Sequence, residues 1–152
     1  MGNKLEIYTD GSCLGNPGQG GLGIVFKFGD KHKEHSEGFR MSTNNRMELL
    51  AVIVALEKIT NYSDPITIYS DSKYVVDSVE KGWLFNWVKK DFKKKKNKDL
   101  WLRFLKIYEQ YTVNFVWVKG HSSNKLNNIC DKIAVAAARS NNLKIDDGYE
   151  IS

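Results

Sequence analysis

The chain has only two cysteines among its 152 residues, and they stand far apart, Cys13 in a glycine-rich stretch and Cys130 in a stretch with helical spacing. No Cys-x-x-Cys pair is present to build a zinc site, and both thiols are expected to be reduced. Histidine is scarce too, at three residues, which leaves little material for the imidazole clusters that favour zinc or softer metals. No apolar run approaches the ~18 residues of a membrane span. Residues 1–4 are short and polar and lead straight into a strand-like segment, so no signal peptide is expected. These absences make a cytoplasmic protein without a membrane role the default. The length suits one compact domain over 1–152, since a domain of this size buries roughly 68–70% of its unfolded surface.

Net charge is +5, and its distribution says more than its value. Between Trp83 and Trp101 seven lysines (Lys89, Lys90, Lys93, Lys94, Lys95, Lys96, Lys98) face two aspartates, while the rest of the chain is balanced at 16 basic and 16 acidic residues. A lysine run by itself is most often a solvated loop. Here Trp83, Phe85, Trp87, Phe92 and Trp101 interleave with the lysines, apolar anchors able to hold a structured basic protrusion over about 83–101. Ordered positive charge beside aromatic surface suits a phosphate backbone.

Leu5 to Asp10 and Gly20 to Phe28 read as strands joined by a turn-rich Gly11 to Gly21, with a third strand at roughly Lys33 to Arg40. Asn44 and Asn45 are placed to cap a helix running to about Thr60, with Met47, Leu50, Ile53, Val54 and Leu56 on a broad apolar face and Glu48 in its first turns. Ile66 to Ser70 reads as a strand, Ser72 to Glu80 as a short helix and Asp99 to Gln110 as another. Thr112 to Lys119 is the last strand and Leu126 to Ser140 the last helix. Strands in succession, then strands alternating with helices, predict an α/β mixed sheet flanked by helices.

Two segments are near-copies, Ile7-Tyr8-Thr9-Asp10-Gly11-Ser12 and Ile68-Tyr69-Ser70-Asp71-Ser72. Ligands in α/β sheets bind outside the carboxyl ends of strands. An aspartate closing each of two neighbouring strands therefore sets two hard oxygen ligands side by side, and a divalent metal is the simplest way to hold them. Taken singly, Asp10 and Asp71 are each read equally well as turn or helix caps, and Glu48 and Asp131 as surface residues of helices.

Five ordered blocks remove that ambiguity: Thr9-Asp10-Gly11-Ser12-Cys13-Leu14-Gly15-Asn16-Pro17-Gly18, Thr43-Asn44-Asn45-Arg46-Met47-Glu48-Leu49, Ser70-Asp71-Ser72-Lys73-Tyr74-Val75, Trp117-Val118-Lys119-Gly120-His121 and Cys130-Asp131. In order and spacing they resemble the signature blocks of bacterial type 1 ribonuclease H, over about Leu5 to Tyr149. The resemblance implies the ribonuclease H-like fold, a five-stranded mixed sheet with its first three strands antiparallel. It implies a monomer without an obligate protein partner, which cuts the RNA strand of RNA/DNA hybrids without sequence specificity and leaves 5′-phosphate and 3′-hydroxyl ends. Two alternatives are a catalytically silent hybrid-binding module, which the intact carboxylates oppose, and a DNA nuclease of the same fold.

The resemblance makes Asp10, Glu48, Asp71 and Asp131 catalytic ligands of two Mg²⁺ ions, with Mn²⁺ as a substitute, and gives His121 an auxiliary catalytic role. Cys13, Asn16, Asn44 and Asn45 match positions that touch the minor groove of the hybrid, where the 2′-hydroxyl tells RNA from DNA. Thr43 and Asn97 match a pocket for a phosphate of the DNA strand, and Trp87, Lys89 and Lys90 belong to a protrusion that grips its backbone. The chain departs from the pattern where Glu-Asn commonly precedes the Cys-Asp pair. Leu126 and Asn127 stand there, followed by Asn128 and Ile129, so an additional acid near the metals is missing. The dense run Lys93 to Lys96 implies unusual salt dependence.

Overall fold

The computed structural model describes residues 4–119 and 124–150. Strands β1 (Leu5–Cys13), β2 (Gly18–Phe28) and β3 (Lys31–Ser42) form an antiparallel meander, followed by helix α1 (Asn44–Glu57) and strand β4 (Ile66–Ser70). Three helices come next, α2 (Lys73–Glu80), α3 (Trp83–Lys89) and α4 (Lys98–Tyr108), then β5 (Val113–Trp117), α5 (Lys125–Ala138), β6 (Leu143–Lys144) and α6 (Asp147–Glu150). The sheet order is β5-β4-β1-β2-β3-β6, with β4 parallel to β1, β5 parallel to β4 and β6 parallel to β3.

Six strands replace the expected five. The sixth is only two residues long and pairs with Gly38 and Phe39, too short to show a period of two. The glycine-rich stretch also differs from expectation. Gly11 to Cys13 and Gly18 to Gly21 are paired strand, Gly11 opposite Leu22 and Cys13 opposite Gly20, so the hairpin loop is only 14–17. The glycines there serve close packing more than turning.

Alternation along β2 shows why. Leu22 and Ile24 point into the main core, where α1 is buried from Arg46 to Leu56 apart from Glu48. Residues one step out of phase face the other side of the sheet, where Val25 meets Cys130 of α5. A Cβ on Gly23 would overlap the carbonyl oxygen of Cys130. The missing side chain is what lets α5 lie directly on the sheet.

The helix caps explain the boundaries. Thr43, rather than Asn44 or Asn45, caps α1, its hydroxyl accepting a hydrogen bond from Arg46 N at 3.3 Å. Ser72 caps α2 by accepting from Val75 N at 3.2 Å. That cap leaves Asp71 in the single step between β4 and its helix.

The basic protrusion is ordered by its aromatic residues. Phe92 is buried in the main core, and Trp101 is fully buried with Trp87 packed edge-on to it at 5.9 Å. Asp91, Phe92, Lys94 and Asn97 all adopt positive φ, a region that non-glycine residues enter at a cost. The burial of Phe92 holds this otherwise unfavourable path.

Gly23→Ala should lower stability by about 2 kcal/mol, because backbone of α5 must move to admit the methyl. Urea unfolding measures this; a variant as stable as the wild type would show that α5 does not rest on Gly23 as closely as described.

Candidate active site

Parallel pairing of β1 with β4 sets Thr9 opposite Ser70, so Asp10 and Asp71, each one residue further on, emerge side by side. Trp117 Nε1 donates to the carbonyl of Asp71 at 3.1 Å and fixes its backbone. Glu48 comes from the other direction, on α1. A Cβ on Gly11 would overlap the backbone nitrogen of Glu48; without one, α1 closes on β1, and Gly11 N donates to Glu48 Oε1 at 2.7 Å.

Ligand oxygens of Asp10, Glu48 and Asp71 all lie within 4.8 Å of one another. Asp131 stands outside that trio but lines the same cleft, of about 330 Å³, close enough for its charge to act on Asp10. Its place follows from α5, whose preceding residue, Cys130, is fixed by donation from Sγ to Tyr8 O at 3.2 Å.

Asp10 is almost wholly buried, and burial, then the charges of Asp71 and Asp131, push its carboxyl up to about 9. Glu48 is raised well above the usual carboxylate range, first by burial and then by Asp10 and Asp71, with the Gly11 N–H acting in the opposite direction. Asp71 Oδ1 is buried without a hydrogen-bond partner. A crowded all-oxygen set with an orphaned carboxylate oxygen suits a hard divalent cation, which would relieve the repulsion that raises these values.

The expected substrate contacts fall into two groups. Cys13, Asn44 and Asn45 line the carboxylate cleft, and so do Ser12 and the amides Asn127 and Asn128, which stand where the chain departs from the family pattern. Asn44 and Asn16 also build the wall: Cys13 N donates to Asn44 Oδ1 at 2.9 Å, and Asn44 N donates to Asn16 Oδ1 at 3.1 Å. Trp87 and Asn97 line a second cleft, of about 350 Å³, with Asn45, Tyr74 and Lys94 to Lys96. Lys95 Nζ stands 5.2 Å from the Trp87 ring centre, while Lys89 and Lys90 are exposed on the protrusion. Thr43 is the α1 cap. His121 lies outside the described residues.

Arg46 is the main residue the sequence did not single out. It is 3% exposed and donates to Asp146 from Nε and Nη2, to Asp99 from Nη1 and Nη2, and to Asn97 Oδ1 at 3.3 Å. Asn97 Nδ2 in turn donates to the Tyr74 hydroxyl at 3.1 Å. Two carboxylates 100 and 53 positions away give no sequence signal. Leu126 is also explained: with Ile129 it packs beside the stacked rings of Tyr8 and Tyr69 rather than at the carboxylates.

In the metal-free protein Asp10 holds a proton up to about pH 9 that the unfolded chain releases near its ordinary value of 3.8. The native state therefore binds more protons than the unfolded state across that interval, and this contribution to stability is lost as pH rises. Asp10→Asn should flatten the slope and melt above the wild type at about pH 8. Melting temperatures of both proteins in chelator, between about pH 5 and pH 9, decide this; identical slopes would remove Asp10 as the source.

The model of the family described as RNase H matches residues 2–139. A ribonuclease H of Rippkaea orientalis is 47% identical over 152 residues, covering 97% of this chain and 93% of the relative. Among solved structures, LC9-RNase H1, a type 1 RNase H with the type 2 active-site motif, superposes with a TM-score of 0.81 at 28% identity over 91% of this chain and 73% of that one. LC11-RNase H1, in complex with RNA/DNA hybrid, shares the fold at 24% identity and a TM-score of 0.69, over 89% and 96% of the two chains. With the carboxylate cleft on the same strand ends that carry the matched blocks, the chain belongs to the RNase H family.

Proposed function

We infer that this chain is an endoribonuclease that hydrolyses the RNA strand of RNA/DNA hybrids, acting as a one-domain cytoplasmic monomer and leaving 5′-phosphate and 3′-hydroxyl ends. The observation that carries the reading is the trio Asp10, Glu48 and Asp71, crowded within 4.8 Å beside the Asn44 and Asn45 side chains in a member of this family. The hybrid bound by the LC11 relative supports the same substrate.

The four carboxylates, Asp10, Glu48, Asp71 and Asp131, would hold two Mg²⁺ ions, with Mn²⁺ able to replace them. When bound, such ions acidify water and neutralise charge on the attacking and leaving oxygens. The chain's own groups do the rest. Asp10, which feels the charges of both Asp71 and Asp131, would be the ligand common to the two ions. Gly11 N–H keeps Glu48 turned into the cleft. Asn44 and Asn45, with Cys13 and Asn16, read the 2′-hydroxyl of the RNA strand from the minor groove. Thr43 and Asn97 receive a DNA-strand phosphate, and Trp87, Lys89 and Lys90 grip that strand's backbone. His121 assists proton movement near neutral pH.

Asp10→Asn should abolish cleavage of a hybrid in magnesium and leave hybrid binding intact, because it removes a ligand's charge without touching the core. The assay compares hybrid with duplex DNA; rapid cutting of DNA, or near-normal turnover by the variant, overturns the reading.

Neutralising Lys89, Lys90 and Lys93 to Lys96 together should weaken hybrid binding far more than it slows turnover at saturation. The slope of log K against log salt falls by about 0.9 per lost phosphate contact, so the variant's salt dependence should be shallower. Unchanged affinity and slope would make the run a solvated loop.

A further inference from the structure

Beyond the residues already given roles, one exposed cation follows a cleft carboxylate closely in the chain. Lys73 follows Asp71 by two positions and is the first residue of α2, where the partial positive charge of the helix disfavours a cation. Among the described residues no carboxylate pairs with it. Its ammonium instead stands 4.8 Å from the centre of the Trp117 ring, within the range of a cation–π contact. That ring does not turn freely, because its Nε1–H is committed to the carbonyl of Asp71. Trp117 is 42% exposed. The pair thus forms a fixed, solvent-facing cation tied directly to the backbone of a cleft carboxylate.

Its direction follows from the sheet. Across the strand ends the order runs from the β1–β2 hairpin with Cys13, through Asp10 on β1 and Asp71 after β4, to Trp117 on β5, which pairs with Ser70. Asn44 is bonded to the hairpin side. A strand whose scissile phosphate lies over the carboxylates, and one of whose flanks meets Cys13 and Asn44, leaves the cleft across β4 and β5. Lys73 waits there. The basic protrusion lines a separate cleft, where Trp87 and Lys94 to Lys96 meet Asn45, Tyr74 and Asn97.

We propose that Lys73, seated on Trp117, binds a backbone phosphate of the cleaved strand on the β5 side of the carboxylates. The proposal rests on the hybrid-cleaving reading above. It gives the RNA strand a charged contact that fixes how the scissile phosphate is presented.

The test measures affinity in buffer without divalent metal, using hybrids in which one phosphate of the RNA strand at a time is replaced by a neutral methylphosphonate. Wild type should lose about fivefold in affinity, the scale of one hydrogen bond, at a phosphate near the scissile position. Lys73→Gln should lose a similar factor on the unmodified hybrid, show a salt slope shallower by about one, and lose nothing further when that same phosphate is neutralised. Lys73→Arg, which keeps charge and ring contact, should behave as wild type. If Lys73→Gln binds normally while wild type binds and cuts hybrid, Lys73 touches no phosphate and this inference fails alone. Equal sensitivity of both proteins to every neutralised phosphate also overturns it, since the lysine would then act only through its general field. A wild type that neither binds nor cuts hybrid removes the reading on which the proposal rests.

Discussion

The site depends on forcing carboxylates together against their own repulsion. Two unit charges about 4 Å apart cost on the order of 4 kcal/mol at an effective dielectric of 20, and three such groups share a space 4.8 Å across. The fold meets this cost with backbone. Parallel pairing of β1 with β4 places Asp10 beside Asp71, and the bare Cα of Gly11 lets α1 bring Glu48 against β1. Burial and this repulsion together raise the Asp10 and Glu48 carboxyls above their ordinary range in the metal-free protein. A bound divalent cation would relieve the same repulsion.

A second charge problem is handled differently. The lysines of the protrusion are spread over an exposed surface, and what is buried beneath them is aromatic: Phe92, Trp101 and, in part, Trp87. Positive φ at four residues between Asp91 and Asn97 shows that this path is not locally favoured. Among the described residues the buried cation nearby is Arg46, paired with Asp99 and Asp146. Only the Arg46–Asp146 pair is buried on both sides, and removing one partner of such a pair typically costs about 3–5 kcal/mol. Arg46 thereby ties the start of α1, the start of α4 and the C-terminal segment into one unit, and it holds Asn97 in the second cleft, which shares Asn45 with the first.

Periodicity carried most of the elements, because helices and strands with one buried face write that face into the sequence. The third strand and α4 came within two residues of their observed ends. It failed where tertiary contact set the rule. Gly11 to Gly21 carries the composition of a turn, yet most of it is strand, because two helices press on the sheet there and only glycine admits them. β6 was invisible at two residues long. The cap of α1 went to Thr43 instead of the asparagines after it, whose side chains brace or line the cleft wall.

Sequence alone determined the chemistry of the site: hard oxygen ligands at the ends of two near-identical strands, amide side chains at a helix start, and all the excess charge in one aromatic-rich segment. These are properties of residue type and local spacing, which a linear reading preserves. Only the tertiary structure decided which carboxylates crowd together, that Asn16 and Asn44 support the wall, that Leu126 packs on Tyr8 and Tyr69, and that Arg46 and Lys73 hold such different environments. Those outcomes depend on contacts between residues tens of positions apart, and distance in space between such residues is fixed by strand order and helix packing rather than by anything written beside them in the chain.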